Sequence, residues 1–177
     1  MLCENMEKFK SSVLENKLAD AEQILPKLEA DINRMRPEKK ADFHYYLGRY
    51  YCERQAWEKA EEAFKAIYNE SFRKDECYNH TRALHAMGNM SYRRGNYEAA
   101  IGYYRRVLNI WNSHEEDYFS TLGINYLGQA RCFEALGERD TALIYYRLAR
   151  TYAITGEDKD LEEKSGSELD RLLKAEA

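Results

Sequence analysis

Residues 83–110 read ALHAMGNMSYRRGNYEAAIGYYRRVLNI and decide the fold. The spacing of apolar residues predicts two antiparallel helices joined by a tight turn. Met87 and Gly88 fall at the core of the first helix, and Gly95–Asn96 makes the turn. Tyr97, Ala100, Tyr104 and Val107 lie on one stripe of the second helix. Gly88 and Ala100 are small enough to let two backbones approach closely, and their bulky neighbours fill the space around that contact.

The pattern recurs. Ala21, Ala60, Ala100 and Ala142 follow one another at intervals of 39, 40 and 42 residues. Four residues after each comes a large apolar side chain: Leu25, Phe64, Tyr104 and Tyr146. Leu28, Ile67, Val107 and Ala149 follow one turn later. A near-constant period of this length marks helix pairs stacked side by side. The constellation Gly88, Gly95, Tyr97, Ala100 and Tyr104 resembles the tetratricopeptide repeat (TPR). That resemblance implies an all-α, right-handed α-solenoid of about four TPR-like helix pairs with a period of about 40.

The expected organisation is a single TPR-like domain over residues 1–177, with pairs at about 2–36, 38–72, 75–112 and 116–155 and a capping helix at about 158–174. In the first pair Phe9 stands where Gly88 stands in the third. Pro26 falls inside a second helix expected over 18–35, where its missing N–H predicts a kink, and Pro37 marks the stop. In the fourth pair Gly128 and Ala130 compete for the close-contact position. Ala130 keeps the twelve-residue spacing to Ala142 and puts two extra residues in the preceding connection. Leu161, Leu169, Leu172 and Leu173 offer the last helix a partial apolar stripe, which covers the open end of the stack.

Composition agrees with helices. Charged residues make up 33% of the 177 while Pro numbers only 2, and the 15 tyrosines supply large rings with one polar tip. Net charge is −4 with both signs mixed, so no basic stripe exists to track nucleic acid. Cys3, Cys52, Cys77 and Cys132 show no paired spacing, which fits a reduced, cytoplasmic setting. No run is long enough for a membrane span and no signal-peptide pattern opens the chain.

A second resemblance is carried by residues 19–35 (ADAEQILPKLEADINRM) and by Tyr-rich helices such as residues 100–105. It is to the TPR arrays of peptide-sensing regulators of Gram-positive bacteria, including Rap-type proteins. Members of that family carry a leading effector domain, for which the segment before Ala19 has no room. The likeness therefore implies a sensor-like array without an effector domain.

No catalytic constellation stands out. His44, His80, His85 and His114 lack the spacing of a zinc-binding helix, and no phosphate-binding loop appears. The expectation is a protein that is not an enzyme, with no catalytic residues, no metal and no cofactor. What a helical stack offers is a concave groove lined by the first helix of each pair. Extrapolating the helical face from the small contact residue places Tyr45, Arg49 and Cys52 there in the second pair. It places His85, Asn89 and Tyr92 there in the third, and Leu127, Arg131 and Glu134 in the fourth. Asp42, Arg82 and Ile124 lie one turn earlier. The ladder Arg49, Asn89, Arg131 suits a peptide, since Arg grips carboxylates bidentately and Asn pairs with extended backbone. In related arrays an Asn at the Asn89 position grips ligand backbone. The lysines of a carboxylate clamp are replaced here by Tyr45 and His85.

The expected function is a protein–protein or peptide-binding module using Tyr45, Arg49, Arg82, His85, Asn89, Tyr92 and Arg131. The alternatives are a small TPR chaperone of a secreted or assembling client, a regulator that binds a signalling protein, and a self-associating array. The partner is then a protein or peptide segment, with homo-oligomerisation open, and neither nucleic acid nor membrane.

Overall fold

The computed structural model describes residues 2–70, 77–111 and 118–174. Among them are nine α-helices and no strand. The chain divides into two compact units, residues 1–86 and 87–177.

The first unit contains α1 (Leu2–Leu14), α2 (Leu18–Asp31), a 3-10 turn (Ile32–Arg34), α3 (Pro37–Glu53), α4 (Trp57–Glu70) and the start of α5 (Cys77–Arg93). The second contains the rest of α5, then α6 (Tyr97–Trp111), α7 (Phe119–Ala135), α8 (Arg139–Thr155) and α9 (Lys159–Lys174). The all-helical class and its pairing follow the alanine period. Two boundaries differ from expectation. The helix expected over 18–35 ends as α-helix at Asp31 and tightens into the 3-10 turn, although Pro26 itself is accommodated inside it. Pro37 opens α3 at its first turn, where a missing N–H costs nothing. The connections expected around 71–76 and 112–117, with His114 and the start near Asp75, lie outside the described residues.

Five helix-to-helix turns among the described residues share one device. Asn16, Gln55, Gly95, Gly137 and Glu157 all have positive φ, between 55° and 79°. At each, the residue's own N–H donates to the carbonyl three residues back, and the next N–H donates to the carbonyl five residues before it. Gly95 N to Tyr92 O is 2.9 Å and Asn96 N to Ser91 O is 2.9 Å. Gln55 and Glu157 repeat the pattern onto Cys52 with Tyr51, and onto Ile154 with Ala153. This double bond satisfies the last carbonyls of the preceding helix. Glycine holds that conformation without the steric cost that a Cβ brings. Gln55→Gly and Glu157→Gly should therefore each raise stability by about 0.5–1 kcal/mol, read as a higher urea midpoint at constant slope.

The core sits between paired helices. In the first unit Phe9 is fully buried, with ring centroids 6.0 Å from Phe43 and 6.1 Å from Tyr50. Its bulk fills the space that a close backbone contact occupies in later pairs. Gly48 supplies such a contact, since a Cβ there would collide with the Phe64 ring. In the second unit the buried Tyr104 ring lies against both Gly88 and Gly128. Ala130 is fully buried in the same cluster as Ala142 and Tyr146. The two small residues of α7 thus have separate tasks: Ala130 falls within its own pair, and Gly128 receives the ring of the preceding one.

Helix α9 covers the end of this unit. Asp158 caps it, accepting from the Leu161 N–H at 3.0 Å. Leu161, Leu169 and Leu172 join the core, and Arg139 donates to the Leu172 carbonyl.

Candidate functional site

In the first unit, α3 presents Tyr45 and Arg49 and α5 presents Arg82 and His85, all half-buried. Asp42 and Arg82 stand at equivalent places on successive first helices, six residues before Gly48 and Gly88. Arg82 Nη1 donates to Asp42 Oδ1 at 2.7 Å. The same guanidinium lies 3.6 Å from the Tyr45 ring centroid, 5.3 Å from Tyr46 and 6.0 Å from Tyr78. Burial lowers the affinity of Arg82 for its proton, but the bond to Asp42 and the tyrosine oxygens outweigh that and raise its pKa. Tyr45 is also edge-on to Tyr46, with centroids 5.2 Å apart. Arg49 touches the Tyr45 ring loosely, at 6.0 Å, and has no ion pair among the described residues.

In the second unit, α5 presents Asn89 and Tyr92. Asn89 is exposed, and its Oδ1 accepts the Tyr104 hydroxyl at 2.7 Å, leaving the amide N–H groups as donors. Tyr92 is half-buried on Tyr97, with centroids 5.5 Å apart, and burial raises its hydroxyl pKa. Arg131 of α7 pairs with Glu168 of α9 at 3.3 Å. Beside it, Glu134 accepts from Arg171 through both carboxylate oxygens at 2.6 and 2.7 Å, and from the Tyr146 hydroxyl at 2.7 Å. Arg171 also reaches Glu168 at 3.0 Å, closing a network of five side chains.

Burial pushes Glu134 up. The hydrogen bonds from Arg171 and Tyr146, with the charges of Arg171 and Arg131, outweigh it and hold the carboxyl below its ordinary range. A depressed carboxyl contributes stability that is present above its unfolded pKa and lost as pH falls through its folded one. Thermal melts from about pH 6 to about pH 3 should show wild type losing stability steeply at the acid end. Glu134→Gln should be less stable at neutral pH and flatter over the same range.

Two residues expected on the groove face are not there. Cys52 is 7% exposed and Leu127 is 4% exposed, because the flank of each first helix is covered by packing that the helical face alone does not reveal. Ile124 is 43% exposed, as that face requires. The sequence reading missed α9 as the partner of Arg131 and Glu134. The available signal was the three-residue spacing of Glu168 and Arg171, which puts opposite charges on one face of α9.

Among the described residues no group of three or more His, Cys, Asp or Glu could hold a metal ion. Burial, with the charge of Glu98, pushes the Cys132 thiol up to about 12, so it is not a nucleophile at neutral pH. Among the described residues no helix is long and apolar enough to cross a membrane.

No curated protein matches the chain significantly. Residues 79–156, which span most of α5 and all of α6 to α8, match the family model of the tetratricopeptide repeat. TPR repeats mediate protein–protein interaction and are not a catalytic family. The helix pairs, the small-residue contact beneath Tyr104 and this match make residues 79–156 a stretch of tetratricopeptide repeats.

Proposed function

We propose that the chain is a non-enzymatic module that holds an extended peptide or partner segment on the faces of its first helices. The observation that carries this reading is a division of labour among the polar residues there. Arg82 and Arg131 are already paired with Asp42 and Glu168. Arg49 has no ion pair or hydrogen bond among the described residues, only the loose contact with the Tyr45 ring, and the amide N–H groups of Asn89 have no acceptor there. Arg49 is suited to a ligand carboxylate and Asn89 to a backbone carbonyl. In the first unit Tyr45 and His85 add half-buried area with polar tips beside the held Arg82, and in the second Tyr92 does the same beside the held Arg131.

Peptides selected from a random displayed library against the full chain supply a ligand for titration by fluorescence anisotropy. Arg49→Ala and Asn89→Ala are each expected to weaken binding about tenfold, the loss of one charge-assisted or backbone-directed contact. Affinity unchanged in both variants would remove the first-helix faces as the binding surface.

A further inference from the structure

The second helices of the second unit, α6 and α8, carry a different set of exposed residues. Arg105 and Arg106 of α6 and Arg147 and Arg150 of α8 are all exposed, and none has an ion pair among the described residues. Arg105 and Arg147 occupy equivalent places, five residues after Ala100 and Ala142. Each directly follows a tyrosine, Tyr104 or Tyr146, and those two rings are buried in one core cluster. The exposed acids of α6 and α8, Glu98 and Asp140, stand in the first turn of each helix, leaving the middle of both outward faces cationic.

On α8 the outward residues Ile144, Arg147, Thr151 and Ile154 fall at intervals of three, four and three, which is one helical face. Ile144 is 55% exposed and Ile154 is 52% exposed. Two large aliphatic side chains on either side of an unpaired guanidinium match a partner that offers both hydrocarbon and carboxylates. We propose that the exposed face of α8, together with Arg105 of α6, docks an acidic amphipathic segment of a partner protein, with carboxylates on Arg105, Arg147 and Arg150, the last beside Gly166 of α9, and apolar side chains on Ile144 and Ile154. Guanidinium forks bind carboxylates with two parallel hydrogen bonds, and Ile144 and Ile154 flank Arg147 with apolar surface at both ends of that face. Nucleic acid fits less well. Isoleucines offer nothing to phosphates, and the net charge of −4 repels a polyanion at longer range.

The probe is a fluorescein-labelled helical peptide of about 20 residues with Glu and Leu on one face, titrated against the full chain by anisotropy. Wild type is expected to bind, and the Arg105→Glu/Arg147→Glu/Arg150→Glu variant to bind at least about tenfold more weakly. The corresponding triple Lys variant should fall between the two. Ile144→Ser/Ile154→Ser should lose about fivefold, and a Glu/Ser peptide without leucine should bind correspondingly less well. Arg49→Ala should leave this binding unchanged, so failure here and failure of the first-helix reading are separable. Thermal melts establish that each variant folds. Affinity unmoved by triple charge reversal overturns the proposal. So does tighter binding of single-stranded DNA or of phosphatidylserine vesicles, or concentration-dependent dimerisation that the charge reversal abolishes.

Discussion

Replacing Gly128 by alanine is expected to lower stability by about 2–3 kcal/mol, although alanine is the better helix former by about 1 kcal/mol. A Cβ at Gly128 would stand 2.6 Å from Tyr104 Cζ, and one at Gly88 would stand 2.5 Å from Tyr104 Cε1. The ring therefore cannot retreat from one glycine without pressing on the other. Its hydroxyl is further tied to Asn89 at 2.7 Å, so sliding along the ring plane would break a part-buried hydrogen bond. Gly88→Ala should behave alike. Gly102 supplies the control: it lies exposed in α6 with nothing within 4 Å of an added Cβ, and Gly102→Ala should stabilise by about 0.5–1 kcal/mol. Combining Gly128→Ala with Tyr104→Leu should cost less than the sum of the two changes, because removing the ring relieves the collision. Urea unfolding of wild type and these variants, with Tyr104→Leu alone, measures each value. Additive losses would mean that the ring is not clamped.

The period of small residues was legible because sterics enforce it. Ala21, Ala60, Ala100 and Ala142 are all fully buried, and the large residues four positions later meet glycines where the sequence has them. Gly95 and Gly137 announced their turns, but Gln55 and Glu157 did not, since nothing in their chemistry favours positive φ. The candidate site was legible only in part. Helical periodicity gives the direction of Tyr45, Arg49 and Asn89 from α3 and α5, but not what the neighbouring first helix places opposite them. Asp42 opposite Arg82, and Glu168 opposite Arg131, lie 40 and 37 residues away in sequence. Opposite charges at that distance are common in any chain with 33% charged residues, so only the packing distinguishes these pairs. The same limit hid Cys52 and Leu127, whose burial comes from packing beyond their own helix.

Arg82→Met should cost about 3 kcal/mol in the first unit's stability, far more than removing a surface cation. Methionine keeps the length and much of the apolar contact, so the loss isolates the guanidinium. Two terms contribute. The Arg82 side chain is 18% exposed and its partner Asp42 is 38% exposed, so losing the charge strands a carboxylate that water reaches only in part. That places the ionic term near about 2 kcal/mol, below the cost of breaking a fully buried pair. Stacking of the guanidinium over Tyr45, with Tyr46 and Tyr78 nearby, adds about 1 kcal/mol. Arg82→Lys keeps the charge but loses the planar face, and should fall between wild type and Arg82→Met. A double-mutant cycle with Asp42→Asn separates the terms, since only the ionic part depends on both residues. Lys8→Met, which removes the fully exposed pair with Glu4, should change nothing measurable. The consequence for binding follows from the geometry. Arg82 fixes the Tyr45 ring, so Arg82→Met should weaken a peptide on this face through Tyr45, and Tyr45→Ala in the Arg82→Met background should weaken it little further. If Arg82→Met instead binds as wild type does and unfolds at the same urea concentration, the guanidinium is solvated and the wall it is held to build does not depend on it.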